Sequence, residues 1–248
     1  MGQVRYININ CDVGEGAGNE GYLLPLISSC SIACGGHAGN EASMREVVRL
    51  ALRHNVLIGA HPSYPDKENF GRISMAITED ELVSAVQNQI ASLVMILSEE
   101  KATLNHIKPH GALYNDLAKN DKLSAVFLAA VSQYKDSAAI YVPYDSVLEK
   151  SAIANGFDIK REVFVDRNYN DDLSLVRRTD LNALISNPQN VLEHLTRMIN
   201  KKKVRTIAET EIDLIADTYC LHGDTPNVLE ILAYLNHHLP KTKIRIAK

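Results

Sequence analysis

Short apolar runs alternate with longer stretches of helical spacing along the whole of this 248-residue chain. The runs RYININC (5–11), CSIACG (30–35), VLIGAH (56–61), TLNHIKP (103–109), AAIYVP (138–143), REVFVD (161–166) and ADTYCLH (216–222) read as strands, and KIRIA (243–247) as a weaker terminal one. Between them, EASMREVVRLALRHN (41–55) places Met44, Val47, Val48 and Ala51 on one helical face. The segment 78–100 opens with Thr78 and, three residues later, Glu81, the pattern of a capping box. DKLSAVFLAAVSQY (121–134) and PNVLEILAYLNHHL (226–239) follow the same spacing, the second with Pro226 near its first turn. Strand and helix alternating about seven times predict a largely parallel sheet with helical crossovers. No linker, low-complexity segment or repeat interrupts the alternation, so residues 1–248 read as one domain.

Two architectures satisfy this pattern, an open doubly wound sheet and a closed (β/α) barrel. The polar residues separate them. Asp12, His37, His61, His110, Asp166 with Arg167, and His222 with Asp224 fall at the ends of six of the seven main strands. An open sheet places site residues only beside its switch point. In a barrel every C-terminal strand end opens on one mouth, so a barrel is expected.

Composition adds mainly exclusions. A hydrophobic fraction of 46% and a charged fraction of 23% suit a globular protein with ample core. A formal net charge of -4 gives no basic surface for nucleic acid, and the run Lys201–Lys203 reads as a solvated helix end. No window approaches the ~20 consecutive apolar residues of a membrane span, and the first ten residues lead straight into a strand without a signal-peptide core. A cytoplasmic location is therefore expected. Cys11, Cys30, Cys34 and Cys220 lie in or beside apolar runs, and the Cys30–Cys34 spacing is not that of a zinc knuckle. Buried reduced thiols are the expectation, with a catalytic thiolate at Cys34 or Cys220 as the alternative.

The candidate chemistry lies in the strand-end segments. In HIKPHGALYN (106–115), Pro109 ends ladder donation and Gly111 permits a tight turn into a helix. His106 reads as a buried strand histidine, whereas Lys108 and His110 sit where the strand leaves the barrel. NCDVGEGAGN (10–19) sets Asp12 and Glu15 on a glycine-rich turn suited to a general base or cation ligand, its backbone N–H groups open to an anion. CGGHAGN (34–40) contributes His37, and IGAHPSYPDKENFGR (58–72) contributes His61 with Tyr64, Phe70 and Arg72 as a rigid aromatic wall. In FVDRNY (164–169), Asp166 and Arg167 are either a rim ion pair or a carboxylate clamp. CLHGDTPN (220–227) adds His222, with Asp224 or Thr225 able to cap the following helix. Asp12, His37, His61, His110, His222 and Asp224 are also plausible ligands for a divalent metal.

Taken together, NCDVGEG, SIACGGHAGN, IGAHPSYPD with FGR, HIKPHGALYN, EVFVDRNY and DTYCLHGDTP resemble the family of 5-oxoprolinase A subunits, also called LamB/YcsF-like or lactam-utilisation proteins, from about Ile7 to Leu239. The resemblance implies an irregular seven-stranded TIM-like (β/α) barrel of the glycoside hydrolase/deacetylase type. It implies ATP-dependent opening of the lactam of 5-oxo-L-proline to L-glutamate, with two partner subunits resembling allophanate hydrolase. Asp12, His61, Lys108, His110, His222 and Asp224 are then expected in catalysis, with Asp12 or Asp224 as base, a histidine as proton shuttle and Lys108 with Arg167 holding phosphate or carboxylate. Glu15, His37, Tyr64, Arg72, Asp166 and Arg167 are expected to bind substrate. No nucleotide-binding motif is visible, so ATP is expected at an unrecognised mouth site or one shared with partners. The chain departs from the family pattern after GEG, around LSLVRR (173–178), at Gly36 where Phe is frequent, at Asn40 where Asp is frequent and at Ser63 where Gly is frequent. Two rival readings use the same mouth: a metal-dependent amide or carbohydrate deacetylase, and a non-catalytic substrate-binding subunit.

Overall fold

The computed structural model describes residues 3–248. Seven parallel strands close a ring: β1 (Arg5–Val13), β2 (Ser29–Ala33), β3 (Leu57–His61), β4 (His106–Ile107), β5 (Ala139–Pro143), β6 (Ile159–Phe164) and, after a hairpin of β7 (Lys203–Arg205) and β8 (Glu211–Asp213), β9 (Thr218–Cys220). Closure is made by β9, which pairs with β6 on one side and with Asn8–Asn10 of β1 on the other. The last strand, β10 (Ile244–Ile246), pairs with β1 below that point, at Arg5–Ile7. The expected (β/α) barrel is therefore the fold. Among the described residues eight helices accompany the strands: α1 (Glu20–Leu23), α2 (Glu41–Arg53), α3 (Glu79–Glu99), α4 (Gly111–Leu117), α5 (Asp121–Ala130), α6 (Val147–Ala154), α7 (Pro188–Lys201) and α8 (Val228–His238).

Local chemistry accounts for the helices the spacing predicts. Met44, Val47, Val48 and Ala51 are all buried on α2, which packs against β2 and β3. At the start of α3, Glu81 N–H donates to the Thr78 hydroxyl and Thr78 N–H donates to the Glu81 carboxylate, so the capping box is formed. An 18-residue window of α3 reaches a mean hydropathy of 1.2, enough by length and composition for a membrane span and more than the apolar pattern led us to expect. In the fold its apolar side is core, with Leu82, Val86, Ile90, Leu93, Ile96 and Leu97 buried.

Boundaries differ where backbone geometry overrides apolar content. The run 103–109 contributes only His106–Ile107 as strand, because Pro109 lacks an N–H and the chain turns there, although Lys108 N–H still reaches Ala60 O at 2.9 Å. The helix expected over 121–134 ends at Ala130 and continues as a 3-10 turn, Ser132–Tyr134. The helix expected from Pro226 starts at Val228: Asn227 precedes it in the left-handed region with φ 63°, and neither Asp224 nor Thr225 caps it. Helices α1, α6 and α7 and the β7–β8 hairpin were not predicted.

The barrel interior is polar from bottom to top. On β1 the alternate side chains Asn8, Asn10 and Asp12 face inward. Asn8 Oδ1 accepts from Ser29 and Thr218 hydroxyls at 2.8 and 2.7 Å, and Asn10 donates to Thr218 at 2.8 Å. One layer higher, His106 Nε2 meets Ser31 Oγ at 3.2 Å while its ring stacks on Tyr141 at 3.9 Å. The apolar core lies outside this stack, between the ring and its helices.

Candidate active site

The top of the polar stack is a buried ionic triad. Lys108 rises from the end of β4 and places Nζ 2.9 Å from Asp12 Oδ1 and 2.8 Å from Glu162 Oε1. The Glu162 contact is an ion pair too oblique for an aligned hydrogen bond. Asn10 Oδ1 at 3.4 Å and Cys220 Sγ at 3.2 Å complete the ammonium's surroundings, and its Nζ lies 5.3 Å from the Phe164 ring centroid. Burial works against charge on both main partners, yet each holds the other ionised. The Asp12 carboxyl lies well below its ordinary range because of His61 and Lys108, and the Lys108 ammonium well above because of Asp12.

Above this triad, four side chains from the ends of four strands converge. His61 closes β3, His110 precedes α4, His37 follows β2 and Glu15 follows β1. His61 Nε2 lies 3.4 Å from Asp12 Oδ2 and 3.8 Å from Glu15 Oε1; His110 Nδ1 lies 2.9 Å from His61 Nε2 and 3.4 Å from Glu15 Oε1. His37 Nε2 reaches the same Glu15 oxygen at 2.9 Å, and its ring stacks face to face on His110 at 3.6 Å. The outer ring nitrogens are tied down: His61 Nδ1 donates to Lys108 O at 2.8 Å and His110 Nε2 to Phe70 O at 3.0 Å. The pair is electrostatically split. Burial opposes charge on His61, but Asp12 keeps its pKa above the ordinary imidazole value. Burial, with His61 and His37 adding to it, pushes His110 well below that value. His37 is lowered by burial, with Glu15 acting the other way.

The remaining expected residues divide into a second cluster and a rim. Asp166 accepts from the His222 backbone N–H and ring Nδ1, both at 3.0 Å, and from the Thr225 hydroxyl at 2.5 Å. Asp166 and Arg167 form no ion pair; Arg167 donates to Val176 O at 2.6 Å. Tyr64 is buried and donates to Asp116 at 2.9 Å, bracing the loop rather than lining the pit. Arg72 and Arg178 hold Asp224 from opposite sides at 2.9 and 2.6 Å across the rim. The Gly14 N–H, expected to be open, donates to Glu20 at 3.2 Å. All four cysteines are free and buried, as expected, and burial raises the Cys34 thiol to about 12. His106 is a buried, hydrogen-bonded histidine, also as expected, and burial lowers it to about 3.

Glu162 was missed in the sequence. The signal was present: in EVFVD (162–166) the alternate residues Glu162, Phe164 and Asp166 share one face of an extended run, and Asp166 was already read as site-bearing. Arg178 was missed because it lies within an irregular segment, with no period to place it.

A closed parallel barrel with imidazoles and carboxylates gathered at the C-terminal mouth defines a (β/α)-barrel protein with its site in the usual place. The family description "LamB/YcsF family" matches residues 7–248, and this chain belongs to that family. It is 36% identical over 243 residues to the 5-oxoprolinase A subunit of Haemophilus influenzae (strain PittEE), covering 98% of this chain and 99% of that one. With the protein of the same name from Geobacillus thermodenitrificans (strain NG80-2) it shares 37% over 247 residues, covering 98% and 96%. The crystal structure of a lactam utilization protein from Thermus thermophilus superposes with a TM-score of 0.89 at 32% identity, covering 97% and 98% of the two chains.

Proposed function

We propose that this protein is the A subunit of a cytoplasmic ATP-dependent 5-oxoprolinase, opening the lactam of 5-oxo-L-proline to L-glutamate together with two partner subunits. The observation that carries the reading is the split imidazole pair, His61 and His110 in contact at 2.9 Å, in a chain whose near-full-length relatives bear that enzyme's name.

A five-membered lactam is a resonance-stabilised amide with a poor leaving nitrogen. Transfer of the γ-phosphoryl group of ATP to the lactam oxygen releases ADP and leaves an electrophilic imidate carbon. Water adds to that carbon and gives its proton to neutral His110 at Nδ1. The resulting tetrahedral carbon expels the ring nitrogen once His61, held protonated beside Asp12, donates to it. That opens the ring to an acyl phosphate, which a second water hydrolyses to glutamate and inorganic phosphate. Proton return from His110 to His61 across their direct contact resets the pair. Lys108 keeps Asp12 ionised, so Asp12 acts as the orienting anion rather than as the base. At the rim, Arg72 and Arg178 are placed to take the substrate carboxylate in exchange for Asp224.

The test is reconstitution. The purified chain with its partner subunits should release glutamate, ADP and phosphate from 5-oxoproline and ATP, and His110→Gln should lower kcat about 100-fold or more. A wild-type complex that makes no glutamate refutes the substrate. A His110→Gln complex of full activity assigns the chain a binding role instead. Release of product without ATP would favour a metal-dependent amide hydrolase or deacetylase.

A further inference from the structure

The lactam chemistry fills the gap between His61 and His110 with one shared proton, and the same gap fits a second occupant that would displace it. Carbonyl oxygens only accept, so Lys108 O and Phe70 O fix hydrogens on His61 Nδ1 and His110 Nε2. Without that shared proton the inner nitrogens, His61 Nε2 and His110 Nδ1, present lone pairs to each other at 2.9 Å. Something positive has to lie between them. A single shared proton satisfies the nitrogens but not the charge around them. Formally, the three carboxylates Asp12, Glu15 and Glu162 face one ammonium, Lys108, in a buried pocket. A proton leaves that pocket short of balance by one charge, whereas a divalent cation closes it.

We propose that His61 Nε2, His110 Nδ1 and Glu15, with Asp12 adjacent, form a binding site for one divalent transition-metal ion of the Zn2+ or Mn2+ class. Bonds of ~2.0–2.1 Å to a metal separate neighbouring ligand atoms by about 3.0 Å at right angles and about 3.4 Å at a tetrahedral angle. The separations here are 2.9 Å (His61–His110), 3.4 Å (His110–Glu15), 3.8 Å (His61–Glu15) and 3.4 Å (His61–Asp12). The rings of His61 and His110 stand at 87°, so one point can lie in both planes, as metal–imidazole bonds require. Each also donates its remote N–H to a backbone carbonyl, the outer contact that fixes a metal-binding tautomer. His37 belongs to the same cluster of ligand types, all within 4.8 Å, but it is a positioning residue. Its ring is parallel to His110 at 3.6 Å, so an ion in the His110 plane lies off its own, and its Nε2 is spent on Glu15.

The site is read on the isolated chain, without substrate, nucleotide or partners, so its failure is a separate result from failure of lactam opening. The protein is stripped with chelator and titrated with Co2+. Wild type should bind one ion per chain, with visible absorption bands of a low-symmetry nitrogen–oxygen site. Its paramagnetic proton spectrum should show two shifted, exchange-protected imidazole N–H signals, those of His61 Nδ1 and His110 Nε2. Glu15→Gln and His110→Gln should abolish stoichiometric binding, and His37→Ala should weaken it about 10–100-fold. His237→Ala with His238→Ala, at the exposed end of α8, should change nothing. The proposal falls if wild type leaves Co2+ fully hydrated. It falls equally if a folded His61→Asn/His110→Gln protein binds as wild type does. Should those variants fail to fold, the two wild-type N–H signals decide the matter alone.

Discussion

Lys108 illustrates what a single residue does in this fold. Its stem and ammonium are fully inside the barrel, and two carboxylates from β1 and β6 depend on it. Lys108→Met would keep the volume and remove the charge, leaving Asp12 and Glu162 buried without a counter-ion. We expect about 3–5 kcal/mol of lost stability in urea unfolding, far above the effect of a surface lysine. His106, one layer lower, predicts a pH dependence. Burial lowers it to about 3 in the folded chain, against ~6.5 when unfolded. Between those values the unfolded chain binds the extra proton, so stability is highest at neutral pH, falls as pH drops through the ordinary imidazole range and levels off near the folded value. Urea midpoints at pH 7 and pH 5 should show the fall, and His106→Gln should flatten it. His194, lowered by burial to about 4, and His37 and His110, also lowered by burial, contribute in the same direction and leave part of the slope, while His61, raised beside Asp12, opposes them. Residue chemistry at the strand ends was largely legible, because histidine and acid in an apolar run stand out. What the letters did not reveal was which acid answers which base: Asp224 belongs to Arg72 and Arg178, and Glu162 to Lys108. Those pairings are set by strand order and register. The departures at 36 and 63 likewise make sense only in space. A Cβ on Gly36 would come 2.2 Å from Gln89 Oε1 and 2.3 Å from Ser63 Oγ, while Gln89 bonds the Ser63 backbone through both ends of its amide.

At the level of elements, periodicity succeeded where burial is one-sided. α2 and α3 show apolar faces against the barrel, and α3 was read with its cap, whereas the Asn40–Ser43 capping box of α2 was not. Thr78→Ala removes one side of the α3 capping box, and we expect about 1 kcal/mol of destabilisation, seen as a lower Tm. Helix α7 escaped the reading although Asn187 caps it by accepting from Gln189 and Asn190 N–H, because the irregular stretch before it masked the start. The strand β4 was overdrawn for the opposite reason: apolar content ran on to residues whose backbone had already turned. That turn is tightly locked. Gly111, with φ 56°, opens α4 where an added Cβ would lie 2.5 Å from Gly71 O, and the same oxygen accepts from Ala112 N–H at 2.9 Å. The loop holding Phe70 and the helix after His110 are therefore one unit, which fixes the imidazole pair from both sides.

For the molecule as a whole, the ring is completed by β9, the last of its seven strands in chain order, and β10 then covers the lower part of β1. Ile244 is buried and Lys248 donates to Pro25 O and Ile27 O. Removing residues 243–248 should cost more than an ordinary tail truncation, about 2 kcal/mol from Ile244 alone before the lost ladder bonds are added. Differential scanning calorimetry would read this as a lowered Tm, and an unchanged Tm would show that the β10 pairing contributes nothing. Closure itself was inferred from the number of strands with polar ends. The partner exchange of β1, from β10 at Arg5–Ile7 to β9 at Asn8–Asn10, has no counterpart in the apolar pattern.

That closure has a cost during synthesis. As the ribosome releases the chain, β1 emerges about 200 residues ahead of Thr218–Cys220, which seal its free edge. Until then the nascent sheet grows as an open, curved ladder with one side unzipped, an invitation to intermolecular pairing. Fragments ending before Thr218 should accordingly collect in inclusion bodies, and chaperone demand in the cell should track how long translation of Thr218–Cys220 is delayed.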